Sequence, residues 1–304
     1  MNSLRLGILT DSAPKQQALA QLVAQSGHKL CYQLLLAPEA ASIASPQLDA
    51  WLVDVAEEYP DDHHLLEQLF SESPVPIIFS DSSEFPPGSG EHSAFLRSTA
   101  LRLRRLSGDI NLQQASPAQD LWILAASTGG PAAVKRFLSK LPDNLGIAFL
   151  YVQHIDALQA TPLLRMMTSA GGYPSIVANQ GMVVEANRLI LVTAVDHVEI
   201  LENRTLAVTQ GQGWNGDYAP SIDQICANAA RIYRQQCGLI IFTGMGDDGA
   251  DSCRLIKQLG GKVWVQTPTD CTIDSMPVSA LATGCVEMSG TPETLAQLLS
   301  KQYR

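Results

Sequence analysis

The sequence predicts an α/β protein in two parts. A smaller βα-repeating unit comes first, followed by a doubly wound, mainly parallel sheet with an inserted hairpin. Three observations lead there. Apolar, β-branched or aromatic runs recur along the 304-residue chain, end at glycine-rich turns and are followed by helical stretches. Two short runs, Val198-Glu-Ile-Leu201 and Leu206-Ala-Val-Thr209, are joined through Glu202-Asn203-Arg204 as a hairpin is. A polar stretch without periodicity, Ser107 to Asp120, divides the chain.

The elements follow in order. Arg5-Leu-Gly-Ile-Leu9 is a short strand. Lys15 to Gln25 is a helix with Ala18, Leu19, Leu22 and Val23 on one face. Ala50-Trp-Leu-Val53 and Val75-Pro-Ile-Ile-Phe79 are further strands, with a helix stripe of Leu65, Leu66, Leu69 and Phe70 between them. This alternation makes residues 1–106 a small α/β domain, with 107–120 as linker. Residues 121–304 form the second domain, whose strands end just before residues 127, 154, 194, 243 and 267.

Composition narrows the function classes. With 46% hydrophobic and 16% charged residues the chain is a folded globular protein. Its net charge of −10 argues against a nucleic-acid surface. No apolar run approaches the roughly 20 residues that span a bilayer, so no membrane insertion is expected. The start, Met1-Asn-Ser-Leu-Arg-Leu, does not read as a signal peptide. The six cysteines show no metal-ligand spacing. The expectation is a reduced, cytoplasmic protein with no metal site and no cofactor.

The chemistry sits at three strand ends. Leu121-Trp-Ile-Leu-Ala precedes Ala126-Ser127-Thr128-Gly129-Gly130-Pro131; Ile147-Ala-Phe-Leu-Tyr-Val precedes Gln153-His154; Leu239-Ile-Ile-Phe precedes Gly244-Met-Gly-Asp247-Asp248-Gly249. In an open parallel sheet, ligands bind at the carboxyl ends of the strands, so a serine, a histidine and an aspartate can converge there from three distant loops. Those are the parts of a nucleophile, its general base and the group that orients the base. Ser127 lies where strand turns into helix, and Pro131 suits that helix's first turn. The N–H groups of Thr128 and Gly129 are placed to stabilise an oxyanion. The blander reading is a capping serine. Position does not choose between His154 and His197, which also ends a strand-like run. Asp247 and Asp248 can equally be helix caps. Gly244-x-Gly246-x-x-Gly249, with Asp270 some way beyond, also matches a dinucleotide fingerprint. Against it, two aspartates would stand where a pyrophosphate must sit.

Together these segments resemble the chemotaxis protein-glutamate methylesterase (CheB) family. The resemblance rests on Ala126-Ser-Thr-Gly-Gly-Pro131, Gln153-His154, Asp196-His197, Pro220-Ser-Ile-Asp223, Thr243-Gly-Met-Gly-Asp-Asp-Gly-Ala250, Cys271 and Met276-Pro277, and covers most of residues 121–300. It implies an α/β serine hydrolase with Ser127 as nucleophile, His154 as base, Asp248 as orienting acid and the Met245 backbone N–H as a second oxyanion donor. The implied reaction removes methyl esters from glutamyl residues on the cytoplasmic helices of chemoreceptors, with glutamine deamidation as a related activity. Two stretches depart from the family pattern. Asp156 stands where a proline is usual, and Asp217-Tyr218-Ala219 stands where a histidine is usual.

The same resemblance implies a receiver domain at the N-terminus and a chemosensory histidine kinase as partner. Asp54 takes the phosphoacceptor position, Asp11 is the single acid after the first strand, and Ser80 is the candidate hydroxyl. No lysine lies between Lys29 and Lys135, so the receiver lysine is missing. The expectation is a degenerate receiver in which Asp54 is not a working switch and has no cationic partner. The alternative function is a non-catalytic regulator that docks a receptor or signalling partner through this domain.

Overall fold

The computed structural model describes residues 3–36, 47–56, 64–83, 85, 88–155, 157–209 and 211–303. The chain divides into two units, Met1–Ser107 and Gly108–Arg304.

The first unit contains β1 (Arg5–Thr10), α1 (Ala13–Gln25), β2 (Lys29–Leu35), β3 (Ala50–Asp54), α2 (His64–Glu72), β4 (Ile77–Ser80) and most of α3 (Gly90–Leu112), whose last five residues belong to the second unit. Its parallel sheet has the order β2-β1-β3-β4. That is the flavodoxin-type order 2-1-3-4-5 with one strand fewer. Pro14 opens α1, and Leu19, Leu22 and Val23 form its buried face. Leu65, Leu66 and Leu69 are buried as the stripe predicts, but Phe70 is 51% exposed and lies 5.8 Å from the Phe79 ring. The segment read as linker is partly helix: residues 107–112 end α3. Ser107 and Gly108 are both buried, and small residues buried by close approach leave no apolar period to read.

His28 is buried in this unit, accepts the Leu4 N–H at Nδ1, and has no partner for Nε2 among the described residues. Burial, with help from the Arg104 charge, lowers it from the ordinary 6.5 to about 4. The unfolded histidine therefore takes up a proton that the native one refuses. Stability is complete above the ordinary value and is lost as pH falls toward about 4. The loss should reach about 3 kcal/mol for this unit. Urea unfolding followed between neutrality and that acid limit checks it, and His28→Gln should flatten the dependence.

The second unit runs β5 (Leu121–Ala126), α4 (Gly130–Leu138), β6 (Ala148–Gln153), α5 (Ala160–Thr168), β7 (Ser175–Val177), β8 (Leu189–Val192), β9 (His197–Ile200), β10 (Leu206–Thr209), α6 (Ile222–Tyr233), β11 (Cys237–Ile241), α7 (Ala250–Gln258), β12 (Lys262–Gln266), α8 (Ser275–Ala282), β13 (Met288–Gly290) and α9 (Pro292–Gln302). Seven strands form one sheet in the order β13-β12-β11-β5-β6-β8-β7, with every pairing parallel. β9 and β10 pair antiparallel as a separate hairpin. Alternate residues of β5 feed two cores: Leu121, Ile123 and Ala125 face one, Trp122, Leu124 and Ala126 the other. Both faces are thus covered by helices, as the apolar runs require. Each fully buried Leu, Ile or Phe there contributes about 1.5–3 kcal/mol. The chain leaves β5 toward β6 on one side and returns to β11 on the other, so strand order reverses at β5/β11 and opens a crevice at their carboxyl ends.

Candidate active site

Ser127 follows β5 at this reversal point, Asp248 follows β11, and His154 follows β6. Backbone bonds lock the three ends together. The Ser127 N–H donates to the Thr243 carbonyl at 3.1 Å, and the His154 N–H donates to the Ala126 carbonyl at 3.2 Å. Gln153, 1% exposed, donates from Nε2 to the Ser127 carbonyl at 2.8 Å, and its Oε1 accepts the Tyr151 hydroxyl at 2.7 Å. Thr243 Oγ1 donates to the Thr128 carbonyl at 2.9 Å. Gly244 presses against the Ser127 turn, since a Cβ there would lie 2.8 Å from Ser127 Cβ.

His154 Nε2 lies 2.9 Å from Asp248 Oδ2. Asp248 is 2% exposed, and its oxygens accept the N–H groups of Ile222 at 2.7 Å and Asp223 at 2.9 Å. These are the first N–H groups of α6, whose own cap is Ser221. The buried carboxylate thus sits at the helix's positive end. An ionised carboxylate only accepts, so Nε2 carries the ring proton and Nδ1 keeps the lone pair. The basic nitrogen left for a nucleophile is Nδ1. Among the described residues, no hydrogen bond joins His154 to the Ser127 hydroxyl; catalytic contacts of this kind often close only around substrate.

The helix-capping readings fail at both ends. α4 is capped by Gly129 and α7 by Gly249, neither through a side chain. Ser127 and Asp248 are thus free of the local duty that would otherwise explain them. His197 opens β9 and packs 4.9 Å from the Trp214 ring, without a bond to Asp248. The dinucleotide reading also falls. Asp270 is held by Arg136 at 3.2 Å and by Gln266 at 2.8 Å, and Asp248 points to α6 and His154.

Three N–H groups stand open beside this constellation. Gly244 N–H donates to Ile273 and Gly246 N–H to Ser275 Oγ, whereas those of Met245, Thr128 and Gly129 find no partner among the described residues. Thiols do not compete as nucleophiles: burial raises Cys271 to about 11 and Cys253 to about 12. Asp156 lies outside the described residues. At the other departure, the Tyr218 ring stacks on His154 with centroids 5.3 Å apart and planes 8° from parallel. Sequence reasoning marked Tyr218 only as an oddity and did not give Gln153 its role.

Position 54 also looks different in three dimensions. Asp54 is 2% exposed and accepts the Ser82 N–H at 2.9 Å and the Ser82 hydroxyl at 2.7 Å. Ser80, the expected hydroxyl, instead donates to the Val53 carbonyl. The pocket does hold a cation, contrary to expectation. Lys15, from α1, places Nζ 3.0 Å from Asp11, 3.5 Å from Asp54 and 3.6 Å from Asp81, and donates to Ser83 Oγ at 2.8 Å. This cation precedes the acceptor in sequence, on α1, outside the lysine-free stretch between Lys29 and Lys135.

The CheB methylesterase family profile matches residues 122–299. "Protein-glutamate methylesterase/protein-glutamine glutaminase 3" of Anaeromyxobacter dehalogenans is 32% identical over 181 residues, 60% of this chain and 53% of that protein. "Protein-glutamate methylesterase/protein-glutamine glutaminase of group 3 operon" of Pseudomonas putida is 32% identical over 171 residues, 56% of this chain and 50% of that protein. The chain spans about half the length of these relatives. The crystal structure of the Thermotoga maritima CheB methylesterase catalytic domain shares the fold, with a TM-score of 0.57 and 22% identity over 60% of this chain and 98% of that one. With a family profile that spans the whole parallel sheet from β5 to α9, this chain belongs to the CheB methylesterase family.

Proposed function

We propose that the chain is a protein-glutamate methylesterase that acts on the cytoplasmic helices of chemoreceptors. The observation that carries this reading is the His154–Asp248 bond beside the Ser127 turn, at the reversal point of the sheet. Ser127 Oγ attacks the ester carbonyl and its proton passes to His154 Nδ1. The N–H groups of Thr128 and Met245 receive the oxyanion; one such donor typically contributes about 3–4 kcal/mol of barrier reduction. His154 then protonates the departing methoxide, and methanol leaves. Water, deprotonated by His154, cleaves the acyl-enzyme and frees the glutamate carboxylate and Ser127. With a glutamine side chain the same steps release ammonia, in keeping with the glutaminase part of the relatives' names. The test is methanol release from a purified methylated receptor. A chain that binds receptor yet releases no methanol would be a non-catalytic regulator.

We infer that the first unit acts without phosphorylation, so a chemosensory histidine kinase would be a binding partner and not a phosphoryl donor. Lys15 already supplies the positive charge among Asp11, Asp54 and Asp81, and Ser82 occupies both Asp54 oxygens. A divalent ion would need oxygens at about 2.0–2.6 Å, where this ammonium now stands. Acetyl phosphate with Mg²⁺ should therefore leave the intact mass and the esterase rate of the full chain unchanged. Several-fold activation that disappears in Asp54→Asn would refute this.

A further inference from the structure

Tyr218 and Asp247 form a second link to the candidate base, and no part of the steps above uses it. The Tyr218 ring lies over the His154 imidazole, 5.3 Å between centroids and 8° from parallel. Its hydroxyl donates to Asp247 Oδ1 at 2.8 Å, and the Asp247 N–H returns toward the same hydroxyl at 3.4 Å. Gly246 makes room for this: a Cβ there would sit 2.5 Å from the Tyr218 hydroxyl, on a backbone with φ of +98°. The hydrogen bond to Asp247 also keeps the phenol protonated, raising it above its ordinary value. The neighbouring aspartates thus reach one imidazole by two routes. Asp248 meets Nε2 directly, and Asp247 reaches the face of the ring through Tyr218.

We infer that Tyr218, held by Asp247, is a positioning residue that stabilises the imidazolium form of His154 through its ring face. This rests on the esterase reading for its kinetic consequence. A cation is attracted to an aromatic face. A carboxylate accepting the phenol's proton makes that face more electron-rich, so the attraction grows when His154 takes the Ser127 proton. The stacked ring also fixes the imidazole plane, which the bond to Asp248 alone leaves free to rock. Among the described residues, the titratable groups around the imidazole are Asp248, Tyr218 and, behind it, Asp247; Asp223 touches Asp248 through its backbone.

Three variants of the full chain separate the parts. Tyr218→Phe keeps the ring and removes the hydroxyl link, Tyr218→Leu removes the ring, and Asp247→Asn keeps an acceptor without the charge. The expected order of kcat is wild type, then Asp247→Asn and Tyr218→Phe within a few-fold, then Tyr218→Leu down about tenfold, with KM little changed. The acid limb of kcat/KM should move to lower pH in the same order. NMR titration of the imidazole signals in these proteins should show the same displacement. Because that measurement needs no turnover, it tests the ring contact even if the esterase reading fails. An unchanged titration in both Tyr218→Phe and Tyr218→Leu would overturn the inference. If Tyr218→Leu does not fold, Tyr218→Phe and Asp247→Asn decide it, and no displacement in either is a refutation.

Discussion

Ser127→Ala is expected to lower methanol release from methylated receptor by at least about a thousandfold while leaving the fold intact. The expectation of an intact fold comes from what Ser127 does not do. Its N–H and carbonyl hold the turn against Thr243, Gln153 and Gly130, and alanine keeps all of those bonds. The helix that follows is capped by Gly129, so no cap is lost. Melting should therefore shift by no more than about 0.5 kcal/mol of stability. Wild-type turnover in this variant would end the serine mechanism. His154→Ala should be comparably inactive. His197→Ala should stay near wild type, because that ring packs on Trp214 at the hairpin. The reverse pattern would transfer the base to His197.

Asp248→Asn is expected to cut kcat by about three to four orders of magnitude, the scale seen when an orienting acid becomes an amide. The amide can present N–H to Nε2, which drives the ring proton to Nδ1 and removes the lone pair needed for Ser127. This substitution should also destabilise. The carboxylate accepts two N–H groups at the start of α6 as well as the imidazole, and an amide offers one oxygen for all three. A loss of about 1–3 kcal/mol is expected, read from denaturant unfolding. Asp247→Asn should fold normally and keep most of its activity, since an amide oxygen still accepts from Tyr218. If Asp247→Asn were the inactive variant, the orienting acid would have been misassigned.

The sequence made the main strands of the second unit plain because both sheet faces are covered, and an uninterrupted apolar run is an unambiguous signal. Other elements left little to read. β2 is an edge strand whose residues alternate between half-buried and exposed, and β7 and β13 are three residues each. The catalytic candidates were legible as types at strand ends, but not as a choice. The contacts with His154 and α6 distinguish Asp248 from Asp247, and they join segments with no local pattern between them. Lys15 was hidden for a similar reason. It is an ordinary helix residue until β3 and β4 bring Asp54 and Asp81 to it.

The place of β11 beside β5 also governs when this site can exist. Thr128 and Thr243 touch across 115 residues of sequence, and His154 and Asp248 across 94. A ribosome adding about 5–20 residues per second delivers the serine turn several seconds before its carboxylate. Pairings this distant also close slowly. Throughout that interval the nascent chain carries Ser127 without the carboxylate proposed to orient its base. On the esterase reading, hydrolytic competence then arrives in one late step, when β11 docks beside β5, rather than growing by degrees as the chain lengthens.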